Sequence, residues 1–533
     1  MSTPARETPL LLGRGMTMGD QLARHARTVG DDVAYTFAGV SLTYRYLDER
    51  VSRLANALRE RGIGRGDRVA VLGLNSLEVI ETYFATTRLG AICVPVNFRL
   101  VADEIAYTLG DSGVGVIIVQ APFAGTIAKA SEQLEGAPVC LIFGEGAERG
   151  DAEDYEQALS SAAPVFGERR VDEHDAAFIM YTSGTTGRPK GAVLSHFNLL
   201  MHAFSNMTHL GAMTENRVWL AAAPLFHIAG LSGMLPNLLL GGRTVLLPSG
   251  QFDPAATVEL LERERVSSVF FVPAQWQAIV SVPGIAERDL SALRTLSWGA
   301  APASTTLLRT MIDAFPQAEV TTAFGQTECS PCTTLLRGED SIRKIGSVGT
   351  PMLNVEVRVV DDDMNDVQRG EVGEIVYRSP MVMKEYWNKP KETEEAFRGG
   401  WFHSGDLVRE DEDGYYFVVD RKKDMIISGG ENIYCAEVEN VLAAHPRIGE
   451  VALIGVPDER WGETPLAVIS AKVPDDPPDA AGLAEWCRDK LAGYKRPRRM
   501  AIVPALPRNP SGKVLKTELR ADLAAGRLLV TPL

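Results

Sequence analysis

Two short apolar runs, Ala176-Ala-Phe-Ile-Met180 and Ala192-Val-Leu194, bracket the stretch Tyr181-Thr-Ser-Gly-Thr-Thr-Gly-Arg-Pro-Lys190-Gly191. The first run lies between a charged patch and a turn, which predicts a buried strand; the second predicts the start of another. Ser195 or Asn198 stands where it can cap a following helix. The intervening stretch is therefore a loop on top of a core. Gly184, Gly187 and Gly191 permit positive φ and close backbone approach, so that successive N–H groups can converge on one anion. Thr182, Ser183, Thr185 and Thr186 add hydroxyl donors, and Lys190 adds a point charge. A flexible linker of this composition rarely follows an apolar strand or carries a lysine. It is not a Walker A loop either, because Arg188-Pro189 precedes the lysine and Gly191 follows it. What remains is a cradle for a phosphate chain.

Around this loop the chain alternates amphipathic helices with short apolar strands. Leu47 to Leu58 reads as a helix, Arg68-Val-Ala-Val-Leu72 as a strand, and Ser76 begins a helix running to about Leu89. Strands follow at Ala91–Val96, Val114–Val119, Pro138–Phe143 and Thr244–Leu247. This is the pattern of doubly wound α/β layers. Between Val355 and Phe417 short strands separated by acidic and glycine turns predict a small β-rich subdomain. The runs Asp361-Asp-Asp363 and Glu410-Asp-Glu-Asp413 fit exposed turns better than metal sites. A boundary near Asp420 to Asp424 divides a large N-terminal domain, 1–420, from a compact, mobile α+β C-terminal domain, 421–533.

Six scattered cysteines do not make a disulfide framework, and Cys329-Ser-Pro-Cys332 is a lone pair without a second. No apolar run reaches transmembrane length, so a soluble, cytoplasmic protein is expected. A net charge of −15 argues against a nucleic-acid partner. Yet ten Lys/Arg stand against Asp489 and Glu518 between Arg488 and Arg520, which suggests a place for a polyanionic ligand rather than only a solvated basic face.

Other segments gain meaning only together. His227, in Ala223-Pro-Leu-Phe-His-Ile-Ala-Gly230, reads alone as a packed histidine. Ser297-Trp-Gly-Ala-Ala-Pro302 has small residues after an apolar strand, where a flat ring can lie against backbone. Thr327-Glu328, at the end of Thr321-Thr-Ala-Phe-Gly-Gln-Thr-Glu328, reads alone as a capping element. Trp401-Phe-His-Ser-Gly-Asp-Leu407, Asp420-Arg-Lys-Lys-Asp424, Ile426-Ile-Ser-Gly-Gly-Glu-Asn-Ile433 and Pro507-Arg-Asn-Pro-Ser-Gly-Lys513 complete the series.

The loop and these segments, in this order, resemble the signature motifs of the acyl-adenylate-forming superfamily, which includes acyl-CoA synthetases, adenylation domains and firefly luciferase. The closest likeness is to actinobacterial fatty-acid–CoA ligases, carried by Asp420-Arg-Lys-Lys-Asp-Met-Ile-Ile-Ser-Gly-Gly-Glu-Asn-Ile-Tyr434. The resemblance implies ATP, Mg²⁺ and CoA as cofactor and co-substrates. Gly299, Ala300 and Ala301, with Thr322, Ala323 and Phe324, would border the adenine and the acyl pocket; His227 would line the acyl site. Thr327 would contact the nucleotide phosphate and Glu328 would help hold Mg²⁺, a hard cation suited to one carboxylate plus water. Asp406 would grip the ribose hydroxyls with Arg421, and Lys423 would be the hinge. Gly429 and Gly430 would make room for the pantetheine arm. Lys513 would be the catalytic lysine, drawing carboxylate and α-phosphate together against their repulsion. By distance from Lys513, Trp461, Tyr494, Arg496 and Arg498 align with residues lining the CoA site of aryl-CoA ligases.

The implied reaction is ATP-dependent activation of a carboxylic acid as acyl-AMP, then transfer to CoA. Segments Phe226–Met234 and Val269–Trp276 contain no Lys or Arg, which favours an apolar acid, fatty or aryl, over a dicarboxylate. Trp276 and Trp298 are candidates for shortening the pocket. An adenylating enzyme that passes the acyl group to an amine or a carrier protein would share every motif. Acyl preference, peripheral membrane contact and homodimer formation stay open at this point.

Overall fold

The computed structural model describes residues 15–146, 152–167, 171–182, 188–210, 217–299, 303–338, 340–429, 431–488, 490–508 and 514–533. The chain forms two compact units, Met1–Val357 with Tyr377–Phe402, and Arg358–Val376 with His403–Leu533.

Two sheets build the first unit. In one, the parallel strands Arg68–Leu72, Ile92–Pro95, Val114–Gln120 and Val139–Phe143 are joined by Ala176–Thr182, which pairs in parallel with Ile92–Pro95. These runs carry almost no polar residues because both faces of a parallel sheet are covered. Ala70, Leu72, Val94, Ile117, Val119, Ile179 and Val193 form one contiguous core here. Lys190–Ser195 and then Glu385–Tyr386 extend this sheet antiparallel. In the other sheet Val33–Phe37, Arg243–Leu246, Val218–Ala221, Ser268–Phe271, Thr295–Gly299 and Glu319–Gly325 run parallel as neighbours. Cys332–Arg337 and Ser347–Pro351 continue it antiparallel.

Local chemistry explains the helix between the first two strands of the first sheet. The Ser76 hydroxyl accepts from Val79 N–H at 3.4 Å, Leu77–Leu89 follows, and Gly90 ends the helix at φ +78. A left-handed C-terminal residue favours glycine. Helix His196–Leu210 starts with a reciprocal cap: Asn198 N–H donates to Ser195 Oγ at 3.1 Å, and Ser195 N–H to Asn198 Oδ1 at 2.8 Å.

In the second unit, Phe402–Glu410 and Tyr416–Arg421 form a hairpin in which Asp406 faces Arg421, with Val372–Arg378 beside it. Farther along, Ile448–Asp458 pairs antiparallel with Gly462–Ala471, which pairs in parallel with Arg499–Val503. Alternation places Leu453, Ala467 and Ile469 in one core and Ala452, Ile454, Leu466 and Val468 in another, so both faces of this sheet are covered. Helices Cys435–Ala443, Ala480–Arg488 and Lys516–Ala524 supply the cover. Residues 403–421 thus share a compact unit with the C-terminal residues, and Lys423 lies in the turn after Arg421, inside that unit.

The acidic runs fall at exposed turns, Asp361 there accepting the N–H groups of Asp363 and Asn365. All six thiols are unbridged. Among the described residues no helix is long and apolar enough to cross a membrane.

Candidate active site

In the first unit the site is built on the hairpin Ala176–Thr182/Lys190–Ser195, where Thr182 faces Lys190 and Tyr181 faces Gly191. Ser183, Gly184, Thr185 and Thr186 lie outside the described residues. Gly191 is required: an added Cβ would stand 2.5 Å from Ile179 Cγ2 and 3.2 Å from the Tyr181 ring. Beneath the hairpin Asp111 acts as a post. Its carboxylate accepts from Tyr181 Oη at 2.6 Å and pairs with Lys389 Nζ at 3.1 Å, while its carbonyl accepts from Trp387 Nε1 and Asn388 Nδ2.

Lys190 leaves the hairpin with its Nζ 4.9 Å from the centroid of the Tyr386 ring. The Tyr386 hydroxyl donates to Glu328 Oε1 at 2.8 Å, and Met383 N–H donates to the Glu328 carbonyl at 2.7 Å. Glu328 is buried in the single helical turn Thr327–Cys329, and Thr327, at its start, is half-buried. One carboxylate oxygen is thus fixed by a phenol, and the second oxygen suits a hard cation. Nothing in the sequence pattern pointed to Tyr386 or Asp111; both act through residues distant in the chain.

Gly299 and Ala323 are register partners on adjacent parallel strands, and a Cβ on Gly299 would lie 2.7 Å from the Ala323 carbonyl oxygen. That leaves bare backbone beside Ala323 and Phe324. Thr322, buried, donates to the Trp298 carbonyl at 3.2 Å and so serves the strand pair itself. Ala300 and Ala301 lie outside the described residues. His227 caps helix Ile228–Leu240: its Nδ1 accepts from Ala229 N–H at 3.2 Å. The ring is exposed, yet enough protein surrounds it for desolvation to lower its pKa. A neutral ring accepting at Nδ1 presents Nε2–H outward. Phe226 meets Phe98 edge-on at 5.3 Å, and the Arg99 guanidinium lies over both rings, a cation outside the segments whose composition suggested an apolar pocket. Trp276 and Trp298, the candidates for shortening the pocket, are both buried. Both are core residues, Trp276 fully buried with its Nε1 donating to the Ser297 carbonyl at 3.0 Å.

In the second unit Asp406, 3% exposed, pairs with Arg421 Nε at 2.7 Å. Glu374 orients this corner, accepting from Gly405 N–H at 3.0 Å and contacting His403 Nδ1 at 3.0 Å and Lys422 Nζ at 3.1 Å. Burial raises its pKa, but His403 and Lys422 outweigh that and hold the carboxyl below its ordinary value. Gly429, at φ +61, donates its N–H to the Trp461 carbonyl at 2.8 Å, and a Cβ there would stand 2.7 Å from the indole. The Arg460 and Arg498 guanidinium groups lie 4.6 and 5.2 Å from the Trp461 ring. Gly429, Trp461 and Arg498 therefore come together, and Tyr494 is exposed. Arg496 is engaged otherwise: it donates to the carbonyls of Leu491 at 2.9 Å and Arg488 at 2.5 Å, closing the end of a helix. Gly430 and Lys513 lie outside the described residues. The segment carrying Lys513 is closed at its base by a bridge between Arg508 and Val514 and by Leu515 N–H donating to the Pro507 carbonyl at 2.8 Å.

Residues 22–387 match the family model for AMP-binding enzymes, and 437–513 match the AMP-binding enzyme C-terminal domain. A feruloyl-CoA synthase of Amycolatopsis sp is 44% identical over 514 residues, covering 95% of this chain and 99% of the relative. A long-chain-fatty-acid–CoA ligase of Mycobacterium tuberculosis is 38% identical over 486 residues, covering 91% and 94%. The o-succinylbenzoate CoA synthetase of Bacillus subtilis, solved with its acyl-adenylate intermediate, superposes with a TM-score of 0.83 at 30% identity, covering 94% of this chain and 97% of that one. The same synthetase has been solved with ATP and magnesium ion.

Proposed function

We infer that this chain, which belongs to the AMP-binding enzyme family, is an ATP-dependent acyl-CoA ligase that activates an apolar carboxylic acid, aryl or fatty, as acyl-AMP. The observation that supports the site assignment is the Lys190–Tyr386–Glu328 contact series, in which the lysine proposed to bind phosphate and the carboxylate proposed to bind the cation both meet one aromatic side chain. Glu328 would hold Mg²⁺, which when bound offsets phosphate charge.

In the first step the acid's carboxylate oxygen attacks the α-phosphorus of ATP, the bond to the bridging oxygen breaks, and pyrophosphate leaves. Lys190 and the loop hydroxyls hold the departing phosphates. Asp406 accepts from the two ribose hydroxyls, held for that task by Arg421. Lys513 draws the two anions together, an electrostatic role that only a positioned ammonium performs. In the second step the CoA sulfur attacks the acyl carbon and AMP leaves. Gly429, whose missing side chain lets the Trp461 indole pack against its backbone, would border the pantetheine arm, and Lys423 is the proposed pivot between the steps. A pivot serves because one adenylate must meet two different attacking groups while water is kept out. The aryl assignment draws support from the feruloyl-CoA relative and the fatty one from the long-chain ligase.

Lys513→Ala tests these roles. The variant is expected to lose pyrophosphate exchange by at least about a hundredfold, as for loss of a transition-state charge partner. It is expected to convert supplied acyl-adenylate and CoA to thioester at near the wild-type rate. Equal loss of both half-reactions would contradict the division of roles.

A further inference from the structure

Tyr386 stands between the two charged groups on which the proposed first step depends, and its own placement is over-determined. Its backbone pairs with Ala192 on the outgoing strand of the phosphate hairpin, and its N–H donates to Thr393 Oγ1 at 3.0 Å. The side chain is 8% exposed. The hydroxyl meets Glu328 at 2.8 Å on one side, and the Lys190 ammonium lies over the ring on the other, 4.9 Å from its centroid.

We propose that Tyr386 is a positioning residue for metal–nucleotide binding: its hydroxyl fixes the Glu328 carboxylate in the orientation that a divalent cation requires, and its ring sets the direction of Lys190. The inference rests on the assignment of Glu328 and Lys190 given above and adds the residue that couples them. A glutamate without such a partner samples several rotamers, and holding one beforehand removes that ordering cost from the binding event. Because the phenol occupies Oε1 alone, Oε2 keeps its acceptor capacity. The ring face attracts an ammonium electrostatically, which favours the Lys190 side-chain orientation in which Nζ lies over Tyr386.

The test uses the full-length enzyme and Mn²⁺ as the probe, with ATP present and neither acid nor CoA. Bound Mn²⁺ is counted by electron paramagnetic resonance, so no turnover is read. Tyr386→Phe keeps the ring and removes only the hydroxyl. Its half-saturating Mn·ATP concentration is expected to rise about tenfold, because the Glu328 side chain must then be ordered when the ion binds. Its melting temperature is expected to fall by no more than a few degrees, because one buried hydrogen bond is lost while the ring stays in place. Tyr386→Leu, which also removes the ring, is expected to add a further severalfold rise in the ATP KM of pyrophosphate exchange, with a smaller change in kcat. Tyr386→Phe binding Mn·ATP as wild type does, while Glu328→Gln binds it weakly, would overturn the role of Tyr386 alone. Wild-type binding by Glu328→Gln would overturn the reading of the site on which that role depends.

Discussion

Gly429 is the described residue proposed to border the incoming thiol in the second half-reaction, and its conformation leaves little latitude. Its φ of +61 is costly for an L side chain, and the Trp461 indole stands where a Cβ would go. Gly429→Ala should therefore force the turn or the indole aside, at a strain of about 1–2 kcal/mol. Thioester formation from supplied adenylate should fall about tenfold on that basis, whereas pyrophosphate exchange should hold; measuring the two half-reactions separately checks this, and a parallel fall would count against it. Glycines of this kind are legible in a sequence because few other residues tolerate such turns. Tyr386 and Asp111 are not: a lone tyrosine or aspartate has no period and no spacing, and its meaning appears only when distant strands are brought together.

At the scale of elements, the corner around Asp406 depends on strand Val372–Arg378 contributing Glu374. The folded-state pKa of Glu374 lies below its ordinary value, so its ionised form contributes stability above the unfolded-state pKa, and that contribution disappears as pH falls through the folded value. Glu374→Gln should then cost about 1–3 kcal/mol at pH 7. The gap from wild type should narrow below about pH 4, the ordinary glutamate range. Urea denaturation at both pH values measures it; a gap independent of pH would refute the charge-based account. In the first sheet the strands Arg68–Leu72, Ile92–Pro95, Val114–Gln120, Val139–Phe143 and Ala176–Thr182 were readable as apolar runs, since burial on both faces removes polar residues. Val40–Thr43, Glu153–Asp154 and Glu385–Tyr386 were not, because sheet edges need no such pattern. Nor does any run state which strand it pairs with. The core placement of Trp276 and Trp298 was hidden for a related reason: a large apolar side chain suits a pocket wall and a core equally well.

For the whole molecule, the order of motifs from residue 181 to 513 carried the family, and the match of the family models to 22–387 and 437–513 agrees with it. The motifs describe the shared chemistry, phosphate, ribose and cation, so they are silent on the acyl group that varies. Arg99 over Phe226 makes the point, since a cation from another segment borders the one whose composition looked wholly apolar. The central claim is that the adenylated acid goes to CoA. Release of AMP and pyrophosphate should be measured over a panel of aryl, fatty and dicarboxylic acids, each with and without CoA. CoA-dependent turnover yielding acyl-CoA from an aryl or fatty acid is the predicted result. Pyrophosphate release with no CoA-dependent product, or turnover confined to dicarboxylates, would contradict it.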